Sequence, residues 1–230
     1  MTLGRSGADL EIPVAGGLLP GYLARPAGGH GRGVLVLHEA FGLVDWIRDV
    51  CDRLARRGFV ALAPDLFRGG RAESVEQAVG LAASLELERV TRDLEAGVEA
   101  LLNHDSVDGG RIGAVGFCMG GHLALLAGTR SARVAAVVDF YGPSPALPFE
   151  LEKLEAAVLG IFAENDEFIA REAIEALRKA LAKAGKRAVI HVESGVGHGY
   201  MNDARPERFD AAAAAAGWDR MLAFLEAELA

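Results

Sequence analysis

The sequence predicts an α/β protein: one mostly parallel sheet with an antiparallel edge at its start and helices on both faces. Three observations carry that expectation. A hairpin signal opens the chain, and strands alternating with amphipathic helical stretches follow it. Several strands, such as Gly33 to Leu37 (G-V-L-V-L), are continuously apolar, as expected of strands buried on both faces. One stretch, Arg111 to Thr129, joins a buried strand to a helix through Gly116-Phe117-Cys118-Met119-Gly120-Gly121, a G-x-nucleophile-x-G turn with cysteine in the serine place.

Taken in order, Leu10 to Val14 and Leu18 to Arg25 read as two short strands joined around Gly16-Gly17. The strand Gly33 to Leu37 ends in His38-Glu39-Ala40-Phe41-Gly42. A helix follows, with Ile47, Val50, Cys51 and Leu54 on its apolar face and Gly58 as its stop. Phe59 to Ala63 is the next strand, closed by Pro64. Ser74-x-x-Gln77 resembles a capping box, and Leu87, Val90, Leu94, Val98 and Leu101 mark one helical face beyond it. Asp108-Gly109-Gly110 is expected to turn the chain into the strand Ile112 to Val115. Val134 to Val138 is a strand, followed by a proline-rich loop from Pro143 to Pro148. Val158 to Ala163 is another, ending in Glu164-Asn165-Asp166. Ile174, Leu177 and Leu181 line a helix that stops at Gly185. Ala188 to Val192 is the last strand and runs into Gly195-Val196-Gly197-His198-Gly199. A final helix is expected from about Pro206, packing through Trp218, Leu222 and Leu225.

Bulk properties narrow the function classes. The 230 residues fit a single α/β domain, 1–230, and 51% apolar with 24% charged residues is ordinary for a globular protein. A net charge of −8 without any basic run argues against nucleic-acid binding through a positive face. Two cysteines, Cys51 and Cys118, are too few for a disulfide framework and suit a reducing compartment, so a cytoplasmic location is expected. Met1 to Gly17 lacks the pattern of a signal peptide, and no apolar stretch is long enough to span a bilayer. His38-Glu39 begins like a zinc-protease H-E-x-x-H, but Gly42 stands at the second histidine place; no G-x-G-x-x-G follows a strand. Neither a metal nor a cofactor is expected.

Functional groups of such sheets gather beyond the carboxyl ends of the strands, and Glu39, Cys118, Asp166 and His198 sit there. The last three follow the order nucleophile, acid, histidine, the chain order of α/β-hydrolase triads. A free thiol is only a few per cent thiolate at neutral pH, so a nearby imidazole and a helix N-terminus are what activate it. Asp166 would orient His198, and His198 would later activate water. The oxyanion needs two donors: the N–H of Met119 in the elbow and the N–H of Ala40 after the Gly33–Leu37 strand. Each residue also has a plainer reading: Cys118 as a core thiol, Asp166 as a turn former, His198 as a loop residue. Those readings leave the common order and strand-end placement unexplained.

These residues resemble the dienelactone hydrolase family, a cysteine-using branch of the α/β-hydrolases. The matching pieces are H-E-A-F-G-L at 38–43, I-R-D-V-C-D-R-L-A at 47–55, A-L-A-P-D-L-F at 61–67, G-F-C-M-G-G at 116–121, E-N-D around Asp166 and G-H-G-Y at 197–200. The resemblance implies an α/β-hydrolase fold without a large cap domain. It also implies hydrolysis of activated esters or lactones, typified by dienelactone ring opening to maleylacetate. By position it makes Cys118 the nucleophile, Asp166 the acid and His198 the base. Glu39 matches a family glutamate that contacts the resting thiol, which implies a thiol held off the His198 axis until substrate arrives. Founding members bind the substrate carboxylate with arginines, one shortly after the catalytic histidine. Here Gly199-Tyr200-Met201-Asn202-Asp203 follow His198, and Arg205 comes too late. Arg68 or Arg71 could stand in, and Arg68 is the candidate ligand contact. The expected partner is therefore a small ester or lactone, with no nucleic acid or membrane; monomer and dimer are both open. A general carboxylesterase or thioesterase is the alternative among enzymes. A ligand-binding protein on the same scaffold and a thiol redox sensor are the others, the latter lacking a nearby resolving cysteine because Cys51 reads as core.

Overall fold

The computed structural model describes residues 6–142 and 150–230, so the proline-rich loop expected at 143–148 lies outside the described residues. Among the described residues, eight strands belong to one mostly parallel sheet whose first strands are antiparallel. Contacts divide the chain into two compact units, Met1–Ile112 and Gly113–Ala230, with the cut inside the fifth strand.

In the first unit, β1 (Gly7–Val14) and β2 (Gly17–Ala24) form the expected hairpin, with Gly16 at φ +89° in its turn. β2 pairs antiparallel with β4 (Phe59–Pro64), and β4 pairs parallel with β3 (Gly31–Leu37). The order is thus β1-β2-β4-β3. Every residue of β4 is buried, as its unbroken apolar run requires. α1 (Asp45–Arg56) packs on β4 and β2 through the expected face of Ile47, Val50, Cys51 and Leu54. Two helices, not one long one, connect β4 to β5: α2 (Val75–Ala83) and α3 (Leu87–Leu102). Ser74 caps α2 by accepting the Gln77 N–H at 3.2 Å, but Gln77 Oε1 reaches back to the N–H of Glu73 at 2.8 Å, one residue further than a capping box predicts.

β5 (Val107–Phe117) runs through the cut. It is longer than the expected Ile112 to Val115, because Asp108, Gly109 and Gly110 are already within the strand rather than in a turn before it. In the second unit β6 (Val134–Phe140), β7 (Ala157–Ala163) and β8 (Ala188–Glu193) are parallel neighbours. α4 (Met119–Arg130) packs on β6, α5 (Arg171–Lys183) on β8, and α6 (Ala211–Glu228) on β6 and β7. α6 starts later than Pro206 suggested. Residues 202–209 close separate turns, and Asp210 supplies the helix cap by accepting the Ala213 N–H at 2.9 Å. Leu222 and Leu225 are buried as expected, joined by Gly217 and Met221, whereas Trp218 is half-buried. Among the described residues no helix is long and apolar enough to cross a membrane.

Candidate active site

In the second unit, β5 delivers Cys118 at its carboxyl end and α4 begins one residue later. Cys118 lies at φ 52°, ψ −123°, a backbone conformation that side chains rarely adopt, which is the strained turn an elbow demands. The turn is stitched by the Cys118 N–H to Phe140 O at 2.9 Å and by the Gly121 N–H to Cys118 O at 2.9 Å. Gly116 is obligatory here: a Cβ on it would sit 2.5 Å from Gly121 N and closer still to the Gly120 carbonyl. Cys118 is half-buried, unlike the fully buried Cys51, so a core thiol does not describe it. The N–H of Met119, at the first position of α4, has no intrahelical acceptor by position.

Two later loops of the same unit bring the acid and the histidine together. β7 ends at Ala163, and Asp166 follows; β8 ends at Glu193, and His198 follows. Because β7 and β8 are hydrogen-bonded neighbours, their loops leave side by side. His198 Nδ1 donates to Asp166 Oδ2 at 2.8 Å, with side-chain exposures of only 9% and 1%. Asp166 Oδ1 accepts the N–H groups of Phe168 and Ile169 at 2.8 and 2.9 Å. The turn-forming reading of Asp166 is therefore true of one oxygen and the histidine-orienting reading of the other. With Nδ1 used, Nε2 is the ring nitrogen left for the Cys118 thiol, which is among the groups that raise the His198 pKa. Burial disfavours the imidazolium, but the hydrogen bonds to Asp166 and Cys118, with their charges, outweigh it and raise His198 to about 10.

Aromatic rings enclose the imidazole. Tyr141 lies 4.9 Å from it and Phe168 5.0 Å, the latter edge-on and 52% exposed. Tyr141 stands at φ 45° and is fully buried. Neither ring was marked by its sequence spacing. Beneath the elbow, Asp139 is buried against Gly121 and Gly142: a Cβ on Gly142 would lie 2.6 Å from Asp139 Oδ1 and 2.6 Å from His122 N. Burial raises Asp139 to about 7, with the Gly142 backbone pulling the other way. Burial lowers His122 to about 4, although its hydrogen bond to the Gly142 carbonyl opposes this.

In the first unit, Glu39 and Ala40 follow β3. Glu39 is 5% exposed rather than a solvated loop carboxylate. His38 beside it is a brace: its Nε2 accepts the Leu66 N–H at 3.2 Å, so Nδ1 carries the proton and donates to Glu39 O at 2.7 Å. Burial, the dominant influence, lowers the His38 pKa, in keeping with this neutral tautomer. Arg68, the candidate ligand contact, is held by Asp93 of α3 through two bonds of 2.7 and 2.8 Å. Arg71 is held by Asp65 at 2.9 Å. A ligand carboxylate at either arginine would compete with an existing ion pair. The position after His198 offers no replacement, since Tyr200, Met201 and Asn202 are all buried.

Comparison with known proteins agrees with this arrangement of elements. The model of the dienelactone hydrolase family matches residues 19–229. The chain is 32% identical to Protein usf of Aquifex pyrophilus, over 96% of this chain and 98% of the relative. It is 35% identical to a provisionally named carboxymethylenebutenolidase of Escherichia coli (strain K12), over 92% and 83%. Among solved structures, a provisionally named dienelactone hydrolase of Klebsiella pneumoniae subsp. pneumoniae MGH 78578 superposes with a TM-score of 0.87 at 30% identity, over 96% of this chain and 98% of that one. The α/β-hydrolase fold, a sheet built largely of parallel strands, is shared with these proteins. The chain belongs to the dienelactone hydrolase family and is a hydrolase acting on ester bonds.

Proposed function

We propose that the protein hydrolyses small activated esters or lactones through Cys118, His198 and Asp166. The observation that carries this reading is the buried imidazole bonded to Asp166 at 2.8 Å, its charged form also favoured by the elbow cysteine. In the proposed reaction the Cys118 thiol gives its proton to His198 and the sulfur attacks the ester carbonyl carbon, forming a C–S bond and a tetrahedral oxyanion. The Met119 N–H, which has no helical acceptor by position, is one donor to that oxygen, and the second expected donor is the Ala40 N–H. Collapse breaks the C–O bond, and the leaving oxygen takes the proton from His198. That proton is the one taken from the thiol, and the hydrogen bond and charge of Asp166 favour the imidazolium that carries it.

Deacylation needs the opposite state, a neutral His198 that can take a proton from water. Acylation itself produces it. Once the sulfur is tied up as a thioester, the hydrogen bond and charge of Cys118 no longer raise the imidazole, while burial still lowers it. Water then attacks the thioester, the C–S bond breaks, and the proton taken from water remains on His198. Glu39 is proposed, from its motif position, as a partner of the resting thiol. Arg68 as a ligand contact would require displacement from Asp93.

A second reading, a general carboxylesterase, is favoured by one observation. Both candidate arginines are already paired with carboxylates, and the positions after His198 are buried rather than cationic. Neutral esters fit such a site better than carboxylate-bearing lactones. Steady-state turnover of cis- and trans-dienelactone beside p-nitrophenyl acetate decides between the two: acetate turnover alone rules out the lactone assignment. Loss of all turnover in Cys118→Ala is expected under both readings, and unchanged turnover contradicts both.

A further inference from the structure

Besides Asp166, a second pair of charged side chains holds His198, and it grips the backbone rather than the ring. Arg208 lies in the turns before α6, ten positions after His198, and its Nη1 donates to the His198 carbonyl at 3.0 Å. The same Nη1 pairs with Glu167 Oε1 at 2.5 Å. The His198 backbone is also among the influences that lower the Glu167 pKa, so this carboxylate lies beside the same peptide. The His198 main chain is thereby held through its carbonyl by an ion pair whose acid stands next to Asp166 in sequence. The guanidinium also lies over the Phe168 ring, 5.7 Å from its centre, and that ring meets the imidazole edge-on.

We propose that Glu167 and Arg208 are positioning residues that lock the loop of the base to the loop of the acid. The proposal rests on His198 being the base, and it adds residues that no motif marks. The physical need is clear from the surroundings. His198 lies between Gly197 and Gly199, and Gly199 stands at φ +79°, so the loop's own backbone does little to fix the ring. The Asp166 bond fixes only one ring nitrogen. Rotation of the whole peptide would swing Nε2 away from the sulfur while keeping that bond loosely made. The ion pair holds the His198 carbonyl against that rotation. An exposed ion pair is ordinarily worth little to stability, so its value here is geometric.

The test compares Arg208→Met, Arg208→Lys, Glu167→Gln and the Arg208→Met/Glu167→Gln double variant with the parent protein and with Cys118→Ala. We expect Arg208→Met and Glu167→Gln each to lower kcat by about 10- to 100-fold with KM changed less than about threefold, since small misplacement of a reacting group costs on this scale. The double variant should be no worse than the poorer single one, because the two act as a unit. Arg208→Lys should recover part of the loss. Independently of turnover, the low-field proton resonance between His198 Nδ1 and Asp166 should exchange faster with solvent in Arg208→Met, with the thermal midpoint little changed. An unchanged kcat and an unchanged resonance in a folded Arg208→Met protein would overturn the proposal, as would additive losses in the double variant. Full activity in Cys118→Ala would instead remove the proposed function, and the resonance would still decide whether the clasp holds the imidazole.

Discussion

Asp166 Oδ2 and His198 Nδ1 are 2.8 Å apart, and the other oxygen of Asp166 is already committed to the turn that carries it. This division separates two consequences of one substitution. In Asp166→Asn the side-chain oxygen can still accept from Phe168 and Ile169, but the amide NH2 faces His198. The imidazole must then put its proton on Nε2 and cannot accept from the thiol. We expect kcat to fall by about 10³- to 10⁴-fold while the thermal midpoint moves little. Comparable losses of activity and fold would show that Asp166 is mainly a turn former.

The raised pKa of His198 gives a stability prediction with a defined sign. Its folded value, about 10, lies above the ordinary 6.5. The contribution is complete below pH about 6.5 and is lost as pH rises towards about 10. Urea unfolding across that window should show falling stability, and the slope should shrink in Asp166→Asn. A parent slope no steeper than that of the variant contradicts the assignment.

Asp139 and His122 make a more specific pair. The folded carboxyl is raised to about 7 and the folded imidazole lowered to about 4, both chiefly by burial. Between those values the folded protein keeps one proton on Asp139, and an unfolded chain keeps one on the histidine. The two linkages therefore cancel, since Asp139 alone would lose stability as pH rises and His122 alone as pH falls. In Asp139→Asn the His122 slope is exposed: relative to the parent, stability should drop on acidification from pH about 7 to about 4, by at most about 3 kcal/mol. His122→Gln should show the reverse. Parallel curves for the parent and both variants would contradict the opposed titrations of these two buried groups.

Arg68 and Asp93 separate a structural from a ligand-binding role. Asp93 is only 3% exposed, and the bidentate fork of Arg68 is what compensates its charge. Arg68→Ala should cost about 2 kcal/mol of stability by chemical unfolding, less than for a fully buried pair because the arginine is partly solvated. Unchanged stability with a raised KM for carboxylate-bearing esters would make Arg68 a ligand contact after all.

How much was legible in the sequence follows from what each feature depends on. The buried strands and the elbow are local: an apolar run or a G-x-C-x-G turn carries its reason in adjacent residues, so β3, β4, β7 and the Cys118 turn were read directly. The chain order of Cys118, Asp166 and His198 carried the site because parallel neighbours β7 and β8 must release their loops at one end. Boundaries set by competing caps were not legible. Pro206 looked like a helix start, but the turns around Arg205 and the Asp210 cap moved it to Ala211. Contacts distant in sequence were the least legible. Nothing near Arg68 announces Asp93, 25 residues away, and nothing near Glu167 announces Arg208, 41 residues away. A charged residue's partner is decided by the fold, and a charge on its own reads as solvated surface.

The central claim is that the Cys118 sulfur becomes covalently acylated during turnover. Rapid quenching of the protein with p-nitrophenyl acetate, followed by intact-mass and peptide mass spectrometry, tests it most directly. The account predicts one acetyl group, on the peptide bearing Cys118, appearing with a burst of p-nitrophenol and accumulating further in His198→Ala if any acylation persists there. Turnover without a burst, with no acyl group on that peptide at any time, would contradict it.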